Sequence, residues 1–172
     1  MTTLSEKNEN FHWYPVCTQS RAEKKAFQAL INKGIETYLP LQRQLKQWSD
    51  RKKWVEEPII KSYLFVFVPK QQLGEVLNTR GIARFIYFSG QVATIPTSQI
   101  KDLRLLMASP YELEVTEEEL LPGEKIFIKG GPLKGLTGEI ISYRSQKQLL
   151  LRLESMGHSI IVHVSAALIN RF

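Results

Sequence analysis

Between Ser109-Pro110 and Pro122-Gly123 lie five glutamates, all within residues 112–121, and this run separates two stretches whose apolar residues follow different patterns. Proline and glycine punctuate both borders, and a block of like charge resists burial, so residues 109–121 are expected to form a solvated acidic linker. The folding problem therefore splits in two. Residues 11–108 mix strand and helix periodicity, whereas residues 122–172 carry strand periodicity alone. Residues 1–10, MTTLSEKNEN, are expected to be a disordered N-terminus.

In the first stretch, Trp13-Tyr14-Pro15-Val16-Cys17-Thr18 has strand composition. Ser20-Arg21-Ala22-Glu23 fits a capping box, in which serine and glutamate satisfy each other's free amides, so a helix is expected to follow. Ala22, Ala26, Phe27, Leu30 and Ile31 fall at helical spacing, Lys24, Lys25 and Lys33 are polar, and Gly34 suits a C-terminal stop. Thr37-Tyr38-Leu39 is strand-like. The apolar run from Tyr63 to Val68 predicts a buried strand, with Tyr63, Phe65 and Phe67 on one face and Leu64, Val66 and Val68 on the other. A short helix over 70–78, a strand over 84–88 and a helix over 98–107 complete an α+β sandwich, one sheet with helices packed on it. Trp48 and Trp54 flank Ser49-Asp50-Arg51-Lys52, whose composition suits a hairpin tip with the two rings paired across it.

The second stretch reads as four strands, 125–129, 138–143, 148–153 and 159–164, separated by turns rich in glycine, serine and lysine. About fifty residues of this pattern suit a small closed barrel. The turn GGPLKGLT at 130–137 imitates a phosphate-binding loop, but Leu136 stands where the lysine belongs and a strand follows where a helix is required. It is a hairpin loop instead. Gln148-Leu149-Leu150-Leu151-Arg152-Leu153-Glu154 contains good helix formers, yet the β-branched residues around it and the glycines at 130, 131, 135 and 138 favour strands.

The chain has 172 residues, 23 Lys and Arg against 17 Asp and Glu, and a net charge of +6, which suits an anionic partner. Residues 1–111 carry +7 and residues 122–172 carry +4, so the positive charge lies outside the acidic run. A single cysteine, Cys17, excludes an internal disulfide framework, and no leader or membrane-length apolar run is visible, which predicts a cytoplasmic protein without membrane contact. No constellation does chemistry. His158 and His163 lie five apart on an extended segment and face opposite sides, which predicts rim positions and no shared metal; Glu56 and Glu57 point apart; Cys17 has no histidine at motif spacing. The sequence predicts no enzyme, no cofactor and no metal.

The segments WYPVCTQSRAEKKAFQAL, YLFVFV, NTRGIARFIYFSGQVATIP and PGEKIFIKGGPLKGLTGEII together resemble the NusG family of transcription elongation factors. The last is similar to the KOW motif, whose turn would be formed by Gly130, Gly131, Gly135 and Gly138. Both domains occur in the family's order. LKQWSDRKKWVEEP is similar to the specialised UpxY-type antiterminators of capsule polysaccharide operons.

That resemblance implies a polymerase-binding N-terminal domain over 11–108 and a KOW domain over 122–172 in a monomer. The N-terminal domain would lay an apolar cavity on the clamp helices of the large catalytic subunit of RNA polymerase, and the matching positions are Ile60, Tyr63, Phe65, Phe88, Ile100 and Leu103. Where relatives often carry Phe-Pro-Gly before the tyrosine, this chain has Ile60, Lys61 and Ser62. Lys24, Lys25, Arg51, Lys52, Lys53, Thr79 and Arg80 resemble the side that faces upstream DNA and the exposed non-template strand. The KOW domain would recruit a small-subunit ribosomal protein or a termination factor. A ribosome-associated or RNA-binding KOW protein is the alternative.

Overall fold

The computed structural model describes residues 10–169, so the expected disorder at the N-terminus lies, except for Asn10, outside the described residues. Contacts divide the chain into two units, one ending at Pro96 and one starting at Thr97.

The first unit follows from two alternating strands. Strand β1 (Phe11–Thr18) pairs antiparallel with β5 (Tyr63–Pro69), and the four-stranded sheet runs β2-β5-β1-β6, where β2 is Glu36–Tyr38 and β6 is Ile82–Phe85. Between β2 and β5 lie β3 (Leu41–Gln47) and β4 (Lys52–Pro58), which pair with each other as a separate hairpin. Helix α1 (Glu23–Asn32) covers one face of the sheet. Its Ala26 and Leu30, with Phe27 packed alongside, meet Tyr14, Val16, Leu64, Val66 and Val68 in one buried cluster. A full leucine or valine burial contributes about 1.5–3 kcal/mol, so this face stabilises the unit substantially. Gly34, at φ 75°, turns the chain out of the helix, and the Ile35 amide donates back to Leu30 O at 3.1 Å.

The start of α1 differs from the capping box. Ala22 is the cap and no side chain caps the helix. Arg21, at φ 59°, turns the chain into the helix, and Glu23 reaches away from it to accept the Ser62 amide at 2.8 Å. The tertiary amide takes the buried Glu23 carboxylate, which would otherwise lack a partner. Strand expectation at 84–88 is also divided, between β6 and β7 (Tyr87–Phe88), which pairs with β8 (Gln91–Val92). A 3-10 turn at Lys70–Gln72 and helix α2 (Leu73–Leu77) fill the segment after β5.

In the second unit, α3 (Thr97–Ala108) precedes a five-stranded antiparallel sheet of order β10-β11-β12-β13-β9. Its strands are β9 (Glu112–Thr116), β10 (Glu124–Phe127), β11 (Thr137–Tyr143), β12 (Gln146–Leu153) and β13 (His158–His163), and a short α4 (Ala166–Ile169) follows. This small β-rich body has the character the KOW resemblance implies. A Cβ at Gly138 would stand 3.0 Å from Leu150 O and 2.8 Å from Leu149 Cδ1, so β11 passes β12 closely at a position that favours glycine.

Strand β9 is a correction to the linker. Residues 112–116 pair along β13 from Ser159↔Thr116 to His163↔Glu112. Their charge is neutralised locally: Glu114 accepts from Tyr143 Oη at 2.9 Å and Arg144 Nη2 at 3.0 Å and lies 3.0 Å from His163 Nε2. His158, expected at the rim, is buried, with Nδ1 2.8 Å from Met156 O and Nε2 3.2 Å from Glu117. Glu114 and Glu117 thus have partners distant in sequence, which composition alone does not reveal.

Two carboxylates in this unit titrate in opposite senses. Burial works against ionised Glu139, but the Arg152 guanidinium and the Gly123 amide outweigh it and hold the carboxyl below its ordinary 4.5. Asp102, on α3, is pushed above its ordinary 3.8 by burial, which the Thr137 amide only partly offsets. A depressed acid contributes stability above its unfolded value that is lost as pH falls through the folded one. A raised acid instead costs stability as pH rises past its unfolded value. Thermal melts at pH 7 are therefore expected to show Asp102→Asn stabilising this unit and Glu139→Gln destabilising it, and the Glu139 effect should fade in melts at acid pH, below the ordinary 4.5. Equal melting of all three proteins at both pH values would contradict the assignment.

Candidate functional site

The register of the first sheet assembles an aromatic face that the sequence reading saw only in part. Residues opposite each other in an antiparallel pair share a side, so Phe11, Trp13, Pro15 and Cys17 of β1 lie with Phe67, Phe65 and Tyr63 of β5, and Tyr38 of β2 joins them opposite Phe65. Ring centroids are 5.1 Å apart for Trp13 and Phe67, 5.4 Å for Phe11 and Phe67, and 6.2 Å for Tyr38 and Phe65. Phe11, Trp13 and Tyr38 were missed. The alternation of β1 was the available signal, hidden because Tyr14 and Val16 on its other face are also apolar and residues 13–18 are buried on both faces.

Of the expected polymerase-binding positions, Phe65 is fully buried, Ile60 nearly so, and Tyr63 half-buried, all at or beside β5. Phe88, at the β7–β8 turn, is 52% exposed. Ile100 and Leu103 are buried on α3, in the second unit. Ser62 takes the left-handed conformation at φ 64° where the family pattern places a glycine. Its carbonyl accepts from Thr18 N at 2.9 Å and its amide donates to Glu23, so two hydrogen bonds hold the turn that a glycine would adopt without strain.

The basic positions form two groups in the first unit. Lys25 and Arg80 line one recess with Gln28, Ala29 and Asn32. Lys33, not singled out in the sequence as a site, joins this side by donating to Thr79 Oγ1 at 3.0 Å. Thr79 itself is buried, and its hydroxyl donates to Glu75 O at 2.8 Å. Its place is structural, and it fixes Lys33 beside Arg80. Lys24 donates to Glu56 O at 2.6 Å and so ties α1 to the hairpin. Arg51 closes the hairpin turn through its carbonyl, which accepts from Trp48 N at 2.7 Å, while Lys52 and Lys53 begin β4. The expected ring pair is absent: Trp54 stands opposite Leu45, and the Arg43 guanidinium lies 5.1 Å from its ring centre.

In the second unit, Gly131 and Gly135 take φ of 75° and 94°, and the loop is closed by Gly135 N to Ile128 O at 2.8 Å and Ile128 N to Leu136 O at 2.9 Å. Nothing stands within 4 Å of a Cβ placed on Gly130. Lys134 sits in a hairpin loop between β10 and β11, with no helix behind it to hold an anion. Among the described residues, no cluster of three or more His, Cys, Asp or Glu side chains is placed to hold a metal. No described helix is long and apolar enough to cross a membrane.

Residues 11–104 match the family model described as NusG, transcription termination factor nusG. The chain belongs to the NusG family. NusG-family proteins are non-enzymatic transcription factors whose partner is RNA polymerase. Among solved structures, Thermotoga maritima NusG is similar to this chain with a TM-score of 0.51 and 17% identity, covering 91% of this chain and 94% of that one. The MjSpt4:Spt5 complex in conformation A matches with a TM-score of 0.26 and 18% identity over 88% of this chain and 99% of that one. The first likeness supports the NusG fold for the α+β architecture described above.

Proposed function

We propose that this chain is a bacterial elongation and antitermination factor that binds RNA polymerase and suppresses pausing or termination at particular operons, of the capsule or exopolysaccharide type. The family match over residues 11–104 carries the reading, supported by an aromatic sheet face and two basic groups in the same unit. The polymerase-binding domain spans 11–108, with the connection 109–121 leading into a KOW domain over 122–172. Tyr63 and Phe88 offer surface to the clamp helices, with Ile60 and Phe65 buried at and beside the same strand, and Ile100 and Leu103 on α3 are the further positions the family resemblance implies. An aromatic patch suits a helix in a groove because rings bury large area at small entropic cost. Bridging the clamp favours the closed, elongating polymerase to the extent that the factor binds that state more tightly than others. The KOW domain recruits a small-subunit ribosomal protein or a termination factor.

Lys25 and Arg80, with Arg51, Lys52 and Lys53, meet upstream and non-template DNA. Replacing Arg51, Lys52 and Lys53 with alanine is expected to weaken binding to a paused elongation complex more than to free polymerase. The gap should close as salt rises, because counterion release scales with the phosphates neutralised. Equal weakening of both complexes at every salt concentration would place the loop on protein instead. Affinity capture from the native cell decides between partners: polymerase subunits are expected, and ribosomes without polymerase would overturn the reading.

A further inference from the structure

On β1, His12, Tyr14 and Val16 point to the opposite side of the sheet from Phe11, Trp13 and Pro15. Tyr14 and Val16 join the cluster under α1, whereas His12, near the start of the strand, is exposed. Beside His12, the segment after β5 and the β7–β8 hairpin complete a recess of about 760 Å³, with His12, Tyr14, Lys70, Leu73, Tyr87 and Val92 in its lining. The whole recess belongs to the first unit. Pockets for small ligands commonly enclose about 300–1,000 Å³. Ser89 and Gly90, at φ 51° and 77°, make the tight turn of the hairpin, and the register sets Tyr87 opposite Val92, so an exposed ring and an aliphatic side chain stand together. Phe88, the next residue, does not line the recess.

Tyr14 is the buried residue of this lining, at 4% exposure, and its ring lies 6.2 Å from Phe85 and 6.3 Å from His12, centre to centre. Its hydroxyl makes no hydrogen bond among the described residues. No fully enclosed side-chain nitrogen or oxygen lacks a partner among them, so this oxygen opens onto the recess it lines. Burial raises its pKa above the ordinary 10.0, which keeps it a donor at neutral pH. Lys70 forms no ion pair among the described residues, and no Asp or Glu is in the lining. Donors therefore converge here from β1 and from the turn after β5 without a carboxylate to answer them.

We propose that this recess binds a small aromatic phosphate of nucleoside monophosphate size, its phosphate met by the Tyr14 hydroxyl, His12 and Lys70 and its ring laid on Tyr87 beside Leu73 and Val92. A phosphate suits several donors from separate segments, because it offers three strong acceptor oxygens where a carboxylate offers two. A ring-bearing anion is favoured over a bare ion, because the volume exceeds what inorganic phosphate fills and one wall is aromatic and aliphatic. The site is separate from the polymerase reading above, which uses the other side of the sheet and Phe88.

Amide NMR spectra of the full chain, titrated with AMP, adenosine and inorganic phosphate, test the site. AMP is expected to shift amides at 10–14, 70–73 and 87–94 and to bind more tightly than adenosine or phosphate alone, since each supplies only half of the contact. Tyr14→Phe keeps the ring in the core and removes only the hydroxyl; it should weaken AMP about tenfold, as for a hydrogen bond to a charged group. Tyr87→Ala should weaken AMP about fivefold and Tyr87→Phe should restore most of that loss, as stacking requires. Polymerase capture by Tyr14→Phe should match that of the wild type. No shifts with AMP up to about 5 mM, or shifts gathered at Lys25 and Arg80 instead, would overturn the site. Unchanged AMP affinity in Tyr14→Phe would do the same, and phosphate binding as tightly as AMP would overturn the aromatic ligand. Loss of polymerase capture in a folded Tyr14→Phe variant would assign the recess to the polymerase and refute a separate ligand.

Discussion

Phe65→Ala is expected to lower the unfolding free energy of the first unit by about 3–5 kcal/mol, the usual range for emptying a buried phenylalanine site. The ring is 0% exposed, faces Pro15 across the β1–β5 pair and stacks on Tyr38 at 6.2 Å, so its removal leaves a void that β-sheet neighbours cannot fill. Small domains have only about 5–15 kcal/mol in total, so the variant should approach unfolding near body temperature. Urea denaturation followed by near-ultraviolet circular dichroism measures the loss. A change under about 1 kcal/mol would mean that the site relaxes or that the ring packs less tightly than described. For function the consequence is practical: alanine at 65 reports on folding before it reports on polymerase.

Tyr63→Ala together with Phe88→Ala tests the contact without emptying the core. Phe88 is 52% exposed and Tyr63 half-buried, so the fold should survive both changes. Each truncation of an interface aromatic commonly costs about 2 kcal/mol or more, and two such losses amount to roughly a thousandfold weaker polymerase binding if they add. A folded double variant with wild-type affinity would remove these side chains from the interface. Phe11→Ala provides a comparison, because it lies on the same sheet side but was not among the positions the family resemblance implied.

Alternation made the first sheet legible: Leu64, Val66 and Val68 were assigned to one face of β5 and are found together against α1. Four of the second unit's five strands were also readable, because glycine-rich turns bracket β-branched runs. What failed was whatever depends on partners distant in sequence. Glu23 belongs to Ser62, 39 residues away, and not to Ser20. The glutamates at 112–116 look solvated until Tyr143, Arg144 and His163 are brought to Glu114, and Thr79 looks available until Lys33 and Glu75 claim its hydroxyl. The Trp48–Trp54 pair failed by register alone. With Gln47 opposite Lys52, Trp54 falls opposite Leu45 and Trp48 is left in the turn. Of the candidate site, the residue types were visible, while the presence of Phe11, Trp13 and Tyr38 on the sheet face required the strand pairing and the burial of Ile60, Phe65, Ile100 and Leu103 required the packed structure.

Single-round transcription with purified RNA polymerase, on a template carrying the leader of the operon that encodes this chain, tests the central claim most directly. Added wild-type protein should shorten the pauses and raise read-through of a downstream terminator, and the Tyr63→Ala, Phe88→Ala variant should lose both effects while remaining folded. Unchanged pausing and termination at concentrations that saturate polymerase would contradict the account.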